Sequence, residues 1–115
     1  MTRVLVCGGR DYDNRDYVHQ ILDALDSVEV IIEGGATGAD LAAASWATFS
    51  RKHIETFPAD WKTHGKAAGP IRNQRMIDEG KPDLVIAFPG GRGTADMIRR
   101  AEAASIPVRR EGGGG

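Results

Sequence analysis

The chain has a single cysteine, Cys7, so no disulfide can form within it and stability has to come from packing. It has no run of about 18 apolar residues of the kind a membrane-spanning helix needs, and no stretch that reads as a signal peptide. The expected address is therefore a reducing cytoplasm, with no membrane partner. Neither sign of charge dominates: 15 Lys and Arg face 16 Asp and Glu, for a formal net charge of −1. That balance excludes the global basic excess of a non-specific nucleic-acid binder, so nucleic acid is not an expected partner. Among the three histidines, His64 has no second histidine or cysteine at ligand spacing, so it reads as exposed and no metal site or other cofactor is expected. With 115 residues the chain suits one domain, expected over residues 1–110, that buries roughly 60 to 70% of its unfolded surface. Residues 111–115, mostly glycine, are expected to form an unanchored, disordered tail.

Glycine, by contrast, is plentiful and placed with a pattern. Three Gly-rich turns each follow an apolar run: Gly8-Gly9-Arg10-Asp11 after residues 3–7, Gly34-Gly35-Ala36-Thr37-Gly38 after residues 28–32, and Pro89-Gly90-Gly91-Arg92-Gly93-Thr94 after residues 83–88. Runs apolar at successive positions suit strands buried on both faces of a parallel sheet, with the first strand central. Between them lie helical patterns. The first runs from a cap at Asp13 or Asn14 to about Asp26, with Val18, Ile21, Leu22 and Leu25 inward. The second runs from Gly38 to about Lys52, with Ala39, Ala42, Ala43, Trp46 and Phe49 inward. A third, over residues 70–79, opens on Pro70 and is stopped by Gly80 and Pro82. The fourth follows Gly93, with Met97, Ile98, Ala101 and Ala104 inward. Residues 53–57 read as a short strand near an edge, residues 58–69 as an unstructured loop, and residues 106–109 as a last edge strand. The alternation predicts a Rossmann-like, three-layer αβα domain with a five-stranded parallel sheet. In such a sheet the turns that follow strands share the carboxyl edge, which places all three Gly-rich turns beside one ligand crevice.

Four segments in order, Gly8-Gly9-Arg10-Asp11-Tyr12, Gly35-Ala36-Thr37-Gly38-Ala39-Asp40, Ala68-Gly69-Pro70-Ile71-Arg72-Asn73-Gln74-Arg75-Met76 and Pro89-Gly90-Gly91-Arg92-Gly93-Thr94-Ala95-Asp96, carry a resemblance to the YspA-like, YpsA-related branch of the SLOG superfamily. That superfamily also contains the lonely-guy phosphoribohydrolases and the DprA DNA-processing proteins. The resemblance implies a Rossmann-like fold and a nucleotide or nucleotide-derived ligand. It also suggests a homodimer or larger homo-oligomer, for which Trp46 or Met76 is the expected apolar contact. The phosphoribohydrolase motif Pro-Gly-Gly-x-Gly-Thr-x-x-Glu matches from Pro89 to Thr94, but its catalytic glutamate falls on Met97. Their Arg-Lys-x-x-Met motif matches at Arg72 and Met76 and lacks its lysine, which is Asn73 here. The phosphate-binding half of the motif set survives better than the catalytic half.

The ligand-binding candidates are thus Gly8, Gly9, Arg10, Asp11, Gly34, Gly35, Thr37, Gly38, Arg72, Pro89, Gly90, Gly91, Arg92, Gly93 and Thr94. Arg72 is the expected anion contact, removable without loss of the fold. Arg10 and Arg92 either meet the ligand or stay surface charges. Thr94 either bonds a phosphate or caps its helix, and Asp11 either bonds a ribose hydroxyl or stabilises its turn. Asp96 and Asp40 are weak catalytic candidates whose ordinary role is to complement helix dipoles. Trp61 either stacks on a base or packs its loop down, Lys62 and Lys66 either close over phosphate or stay solvated, and Cys7 reads as a core residue. Binding is the leading expectation and N-glycosidic hydrolysis of nucleoside monophosphates the alternative; single-stranded DNA binding ranks third.

Overall fold

A computed structural model describes residues 2–112. Five strands, β1 (Thr2–Cys7), β2 (Val28–Glu33), β3 (His53–Thr56), β4 (Leu84–Ala87) and β5 (Val108–Arg110), form one parallel sheet in the order β3-β2-β1-β4-β5. The first strand is central and the third and fifth are the edges, as the apolar runs imply. Helices α1 (Arg15–Asp23) and α2 (Ala39–Phe49) pack on one face, and α4 (Ala68–Asp78) and α5 (Arg92–Ala103) on the other.

Strand alternation divides the core cleanly. Val4 and Val6 of β1 join Val18, Leu22, Ala43 and Trp46 on the α1/α2 face, while Leu5 and Cys7 join Met76, Ile77, Met97 and Ala101 on the α4/α5 face. The sheet order 3-2-1-4-5 means that the chain moves outward from β1 to β3, then crosses to β4 on β1's other side. The β1/β4 boundary is therefore the topological switch point, where loops on the carboxyl edge part and leave a crevice.

Several local expectations change. Residues 58–69 are not unstructured: α3 (Trp61–His64) and a tight turn of helix at Gly65–Ala67 fill them, and α4 begins at Ala68, before Pro70. Asp60 makes α3 possible, accepting the Thr63 N–H at 3.1 Å on its carboxylate. Helix α1 starts as expected, with Asn14 accepting from Tyr17 N–H, but ends at Asp23. Phe49 is 81% exposed and does not face the core, whereas Trp46 and Ala47 in the same last turn of α2 do. Ala104 is likewise exposed beyond the end of α5. Gly80 does not supply the left-handed stop after α4; Lys81 does, with φ 49. Trp46 and Met76 cannot supply an oligomer contact, since both are buried in the core and Trp46 Nε1 donates to Asp23.

The segment Arg109, Arg110, Glu111 is held as well. The first two residues belong to β5, and Glu111 N–H donates to the Ala87 carbonyl at 2.9 Å. Residues 113–115 of the expected tail lie outside the described residues. Among the described residues no helix is long and apolar enough to cross a membrane.

The glycines of the turns differ sharply in what surrounds them. Gly38 has φ 73 and ψ −127, and a methyl group there would run into the Gly9 carbonyl. At Gly93, in the first turn of α5, a methyl group would meet open space. Gly38→Ala should therefore cost about 3 kcal/mol or more, from backbone strain plus displacement of a backbone neighbour. Gly93→Ala should be neutral or stabilising by up to about 1 kcal/mol. Urea midpoints of the two variants check the contrast, and equal losses would refute it.

Candidate functional site

The carboxyl edge holds a cleft of about 910 Å³. The turn after β1 forms one wall, through Gly8, Gly9, Arg10, Asp11 and Tyr12, and the turn after β4 faces it, through Pro89, Gly90, Gly91, Arg92, Gly93 and Thr94. Trp61, Lys66 and the start of α4 close the third side. The first and third Gly-rich turns thus lie side by side, as the switch point requires.

The middle turn is placed differently. Of its residues only Ala36 lines the cleft; Gly34, Gly35, Thr37 and Gly38 do not. Its N–H groups are also occupied. Gly34 N–H and Ala36 N–H donate to Asp40 Oδ2 at 3.1 and 3.3 Å, and Gly35 N–H donates to Glu33 at 2.7 Å. Thr37 Oγ1 donates to the Arg10 carbonyl, so this turn braces the first loop and spends the amides of Gly34, Gly35 and Ala36 on its own carboxylates.

The turn after β4 is the opposite case. Gly91 caps α5 without a side chain, and the first N–H returned to the helix is that of Ala95, on the Gly91 carbonyl at 3.1 Å. The N–H groups of Arg92, Gly93 and Thr94 precede it and have no intrahelical acceptor. They lie at the positive end of the helix, in residues that line the cleft. Thr94 does not cap the helix; it is buried, with its hydroxyl against Gly90. Gly90 in turn lies too close to Gly9 N and Thr94 Oγ1 to carry a side chain, whereas a methyl group at Gly91 would meet nothing. Arg10, Arg92 and Lys66 line the cleft with no ion pair among the described residues.

Arg72 is at the cleft but is not a free surface charge. Its Nη1 donates to the carbonyls of Gly34 at 2.8 Å and Phe57 at 3.4 Å, and its Nε donates to Asn73 Oδ1. A methyl group at Gly34 would sit 2.5 Å from Arg72 Nη1, so that glycine exists to admit the guanidinium. Burial draws the guanidinium pKa down, partly offset by Asp40. The side chain ties β2, β3 and α4 together, which revises the expectation that it can be removed without effect on the fold.

The two carboxylate candidates also separate. Burial pushes Asp96 upward, but hydrogen bonds from Arg100 and Asn73, with the charges of Arg100 and Arg99, outweigh it and hold the group below its ordinary range. It stays ionised, with both oxygens engaged. Asp40, lining the cleft and 6% exposed, is pushed up to about 6. Burial is the chief cause and Glu33 adds to it, against the Ala36 and Gly34 amides and Arg72. Met97, where the phosphoribohydrolase motif has glutamate, is buried in the α4/α5 core and does not reach the cleft.

Sequence reading missed Asn73. It is buried, and its Nδ2 bridges Asp96 Oδ2 and the Gly93 carbonyl, so that α4 positions the first turn of α5. Cys7 is buried with its thiol pushed up to about 12, chiefly by burial, so it is an inert core residue. His64 is exposed. Among the described residues no group of three or more His, Cys, Asp or Glu side chains is placed to hold a metal ion.

A Rossmann-like αβα domain with its crevice at the switch point is the class this geometry defines. The profile of the YspA, cpYpsA-related SLOG family matches residues 2–64, more than half of the chain. The chain belongs to that family, and its fold is consistent with nucleotide-related binding in general. It is also 41% identical over 119 aligned positions to the Gene 61 protein of Mycobacterium phage D29, covering 94% of each chain. No solved structure matches it significantly.

The raised pKa of Asp40 fixes a pH dependence. Folded protein holds this proton up to about pH 6, unfolded chain only to about its ordinary 3.8. Between those values the folded state binds more protons, so stability from this group is present at low pH and is lost as pH rises through about 6. Asp40→Asn keeps an acceptor for the turn amides and removes the titration. From pH 4 to pH 7, wild type should lose about 2 to 3 kcal/mol relative to this variant. Paired urea titrations measure it, and a pH-independent difference would show that Asp40 titrates normally.

Proposed function

We propose that this cleft binds a nucleotide or nucleotide-derived ligand by its phosphate, at the N-terminus of α5. The observation that carries this reading is the set of unpaired N–H groups at Arg92, Gly93 and Thr94, with Arg10 and Arg92 beside them and no side chain at Gly91 or Gly93 to occupy the space. Family membership and the switch-point location support it. The middle Gly-rich turn serves indirectly, by bracing the loop that carries Arg10.

Binding without hydrolysis is the reading we favour. Cleaving an N-glycosidic bond needs a carboxylate free to stabilise an oxocarbenium-like centre or orient a water. Asp96 is held by Arg99, Arg100 and Asn73, Asp40 by the Gly34 and Ala36 amides, and Met97 offers no carboxylate and faces the core. That leaves Asp11 as the one carboxylate lining the cleft without a hydrogen-bond partner among the described residues. Sensing or sequestering the ligand therefore fits the cleft better than destroying it.

Nucleoside monophosphates should raise the melting temperature of the protein, as any ligand preferring the native state must. Arg92→Ala and Arg10→Ala should each weaken that binding by about 1.5 to 3 kcal/mol, the range for a hydrogen bond to a charged group, with melting of the free protein little changed. Arg72→Ala should instead lower stability by about 1 to 3 kcal/mol through the carbonyls it strands. Chromatography should find no free base released from nucleoside monophosphates. Sustained base release abolished by Asp40→Asn would replace binding with hydrolysis, and a lack of any thermal shift would remove the site.

A further inference from the structure

The chain has two tryptophans, and the fold treats them in opposite ways. Trp46 is 5% exposed, packed in the α1/α2 core with its Nε1 bonded to Asp23. Trp61 is 49% exposed and opens α3, a segment with no buried residue of its own. Local bonds hold that segment: Asp60 accepts from Thr63 N–H and, through its carbonyl, from His64 N–H at 3.0 Å, and Gly65 ends it at φ 53. Nothing in the core requires an indole here. Beside it are Gly69, where a methyl group would lie 3.4 Å from the ring, and the Arg10 guanidinium, 5.8 Å from the ring centroid.

Trp61, Gly69 and Arg10 all line the cleft, and so do the free N–H groups of α5. One cavity therefore carries an anion-attracting end and a half-exposed aromatic ring whose neighbour is the mobile end of an arginine side chain. A sugar phosphate could use only the first of these. A nucleoside phosphate uses both, because every base has a π-face that stacks on an aromatic ring and is indifferent to sequence-like detail at its edge. Arg10 fits the same arrangement, since a guanidinium already in reach of the indole can also stack on a base or turn to a phosphate.

We infer that Trp61 is the platform on which the base of the ligand stacks, which makes this a site for nucleoside phosphates and not for sugar phosphates or inorganic phosphate. The inference rests on the placement of the phosphate at α5. Trp61 is thus a specificity residue, and Lys62 and His64, exposed on the same short helix, are not needed for it.

The test is calorimetry with AMP, GMP, CMP, UMP and ribose 5-phosphate on wild type, Trp61→Ala and Trp61→Phe, beside the fluorescence of the wild-type protein. At least one nucleotide should bind wild type more tightly than ribose 5-phosphate and quench tryptophan emission, which ribose 5-phosphate should not do. Trp61→Ala should weaken that nucleotide by between about 5-fold and about 150-fold, the span of a base–aromatic stack, and abolish the quench. Trp61→Phe should recover most of the affinity, and neither variant should change ribose 5-phosphate binding. A nucleotide that binds all three proteins within twofold overturns the platform and leaves the phosphate site standing. So does a Trp61→Ala variant that weakens nucleotide and ribose 5-phosphate equally, or a wild type that binds the two equally. If no nucleotide and no ribose 5-phosphate binds wild type, the phosphate placement fails and the platform with it.

Discussion

The carboxyl edge depends on Gly9. Its N–H donates to the Pro89 carbonyl at 2.8 Å, and its carbonyl accepts from Tyr12 N–H at 3.2 Å and Ala39 N–H at 3.4 Å. One residue thus links the turn after β1, the start of α2 and the turn after β4. The backbones approach so closely that side chains are excluded at Gly8, Gly38 and Gly90 and barely spared at Gly9. A methyl group at Gly9 would lie 3.0 Å from the Pro89 carbonyl, and one at Gly8 2.6 Å from Ala39 Cβ. The cleft has its shape because these backbones interlock, and only then do the exposed groups of α5 and Arg10 face one another.

Much of the fold was legible in the sequence, because its signals are local and repeated. Apolar runs marked the strands, the run at residues 3–7 marked the centre of the sheet, and Asn14 marked the start of α1. The turn residues were found too, but their roles were only half legible. A glycine reports that no Cβ fits, without saying whether protein or ligand occupies the space. Gly34 makes room for Arg72 and Gly38 for Gly9, while Gly91 and Gly93 adjoin open space. The same residue type thus carries two meanings that only tertiary neighbours separate.

The remaining errors have the same origin. A four-residue helix such as α3 has no periodicity to detect; its one sequence signal was Asp60 three residues before Thr63. Asn73 resembled any polar residue on a helix until α5 covered it, and Arg72 read as a free anion contact until the Gly34 carbonyl lay within 2.8 Å of its guanidinium. Each depends on contacts between segments distant in the chain, which spacing along one element does not encode.

The central position of β1 has a consequence for how the molecule is assembled. β1 is made first, yet one of its two partners, β4, begins at Leu84, where Val4 pairs with it across most of the chain. Loop closure over such a span opposes pairing with an entropy that local contacts do not repay. The half containing β1, β2 and β3 can gather earlier, with β1 still a bare edge. The peptide bond of Gly9 finds its Pro89 acceptor only when that edge is covered. The cleft is therefore among the last features the folding chain completes, and it arrives together with closure of the sheet.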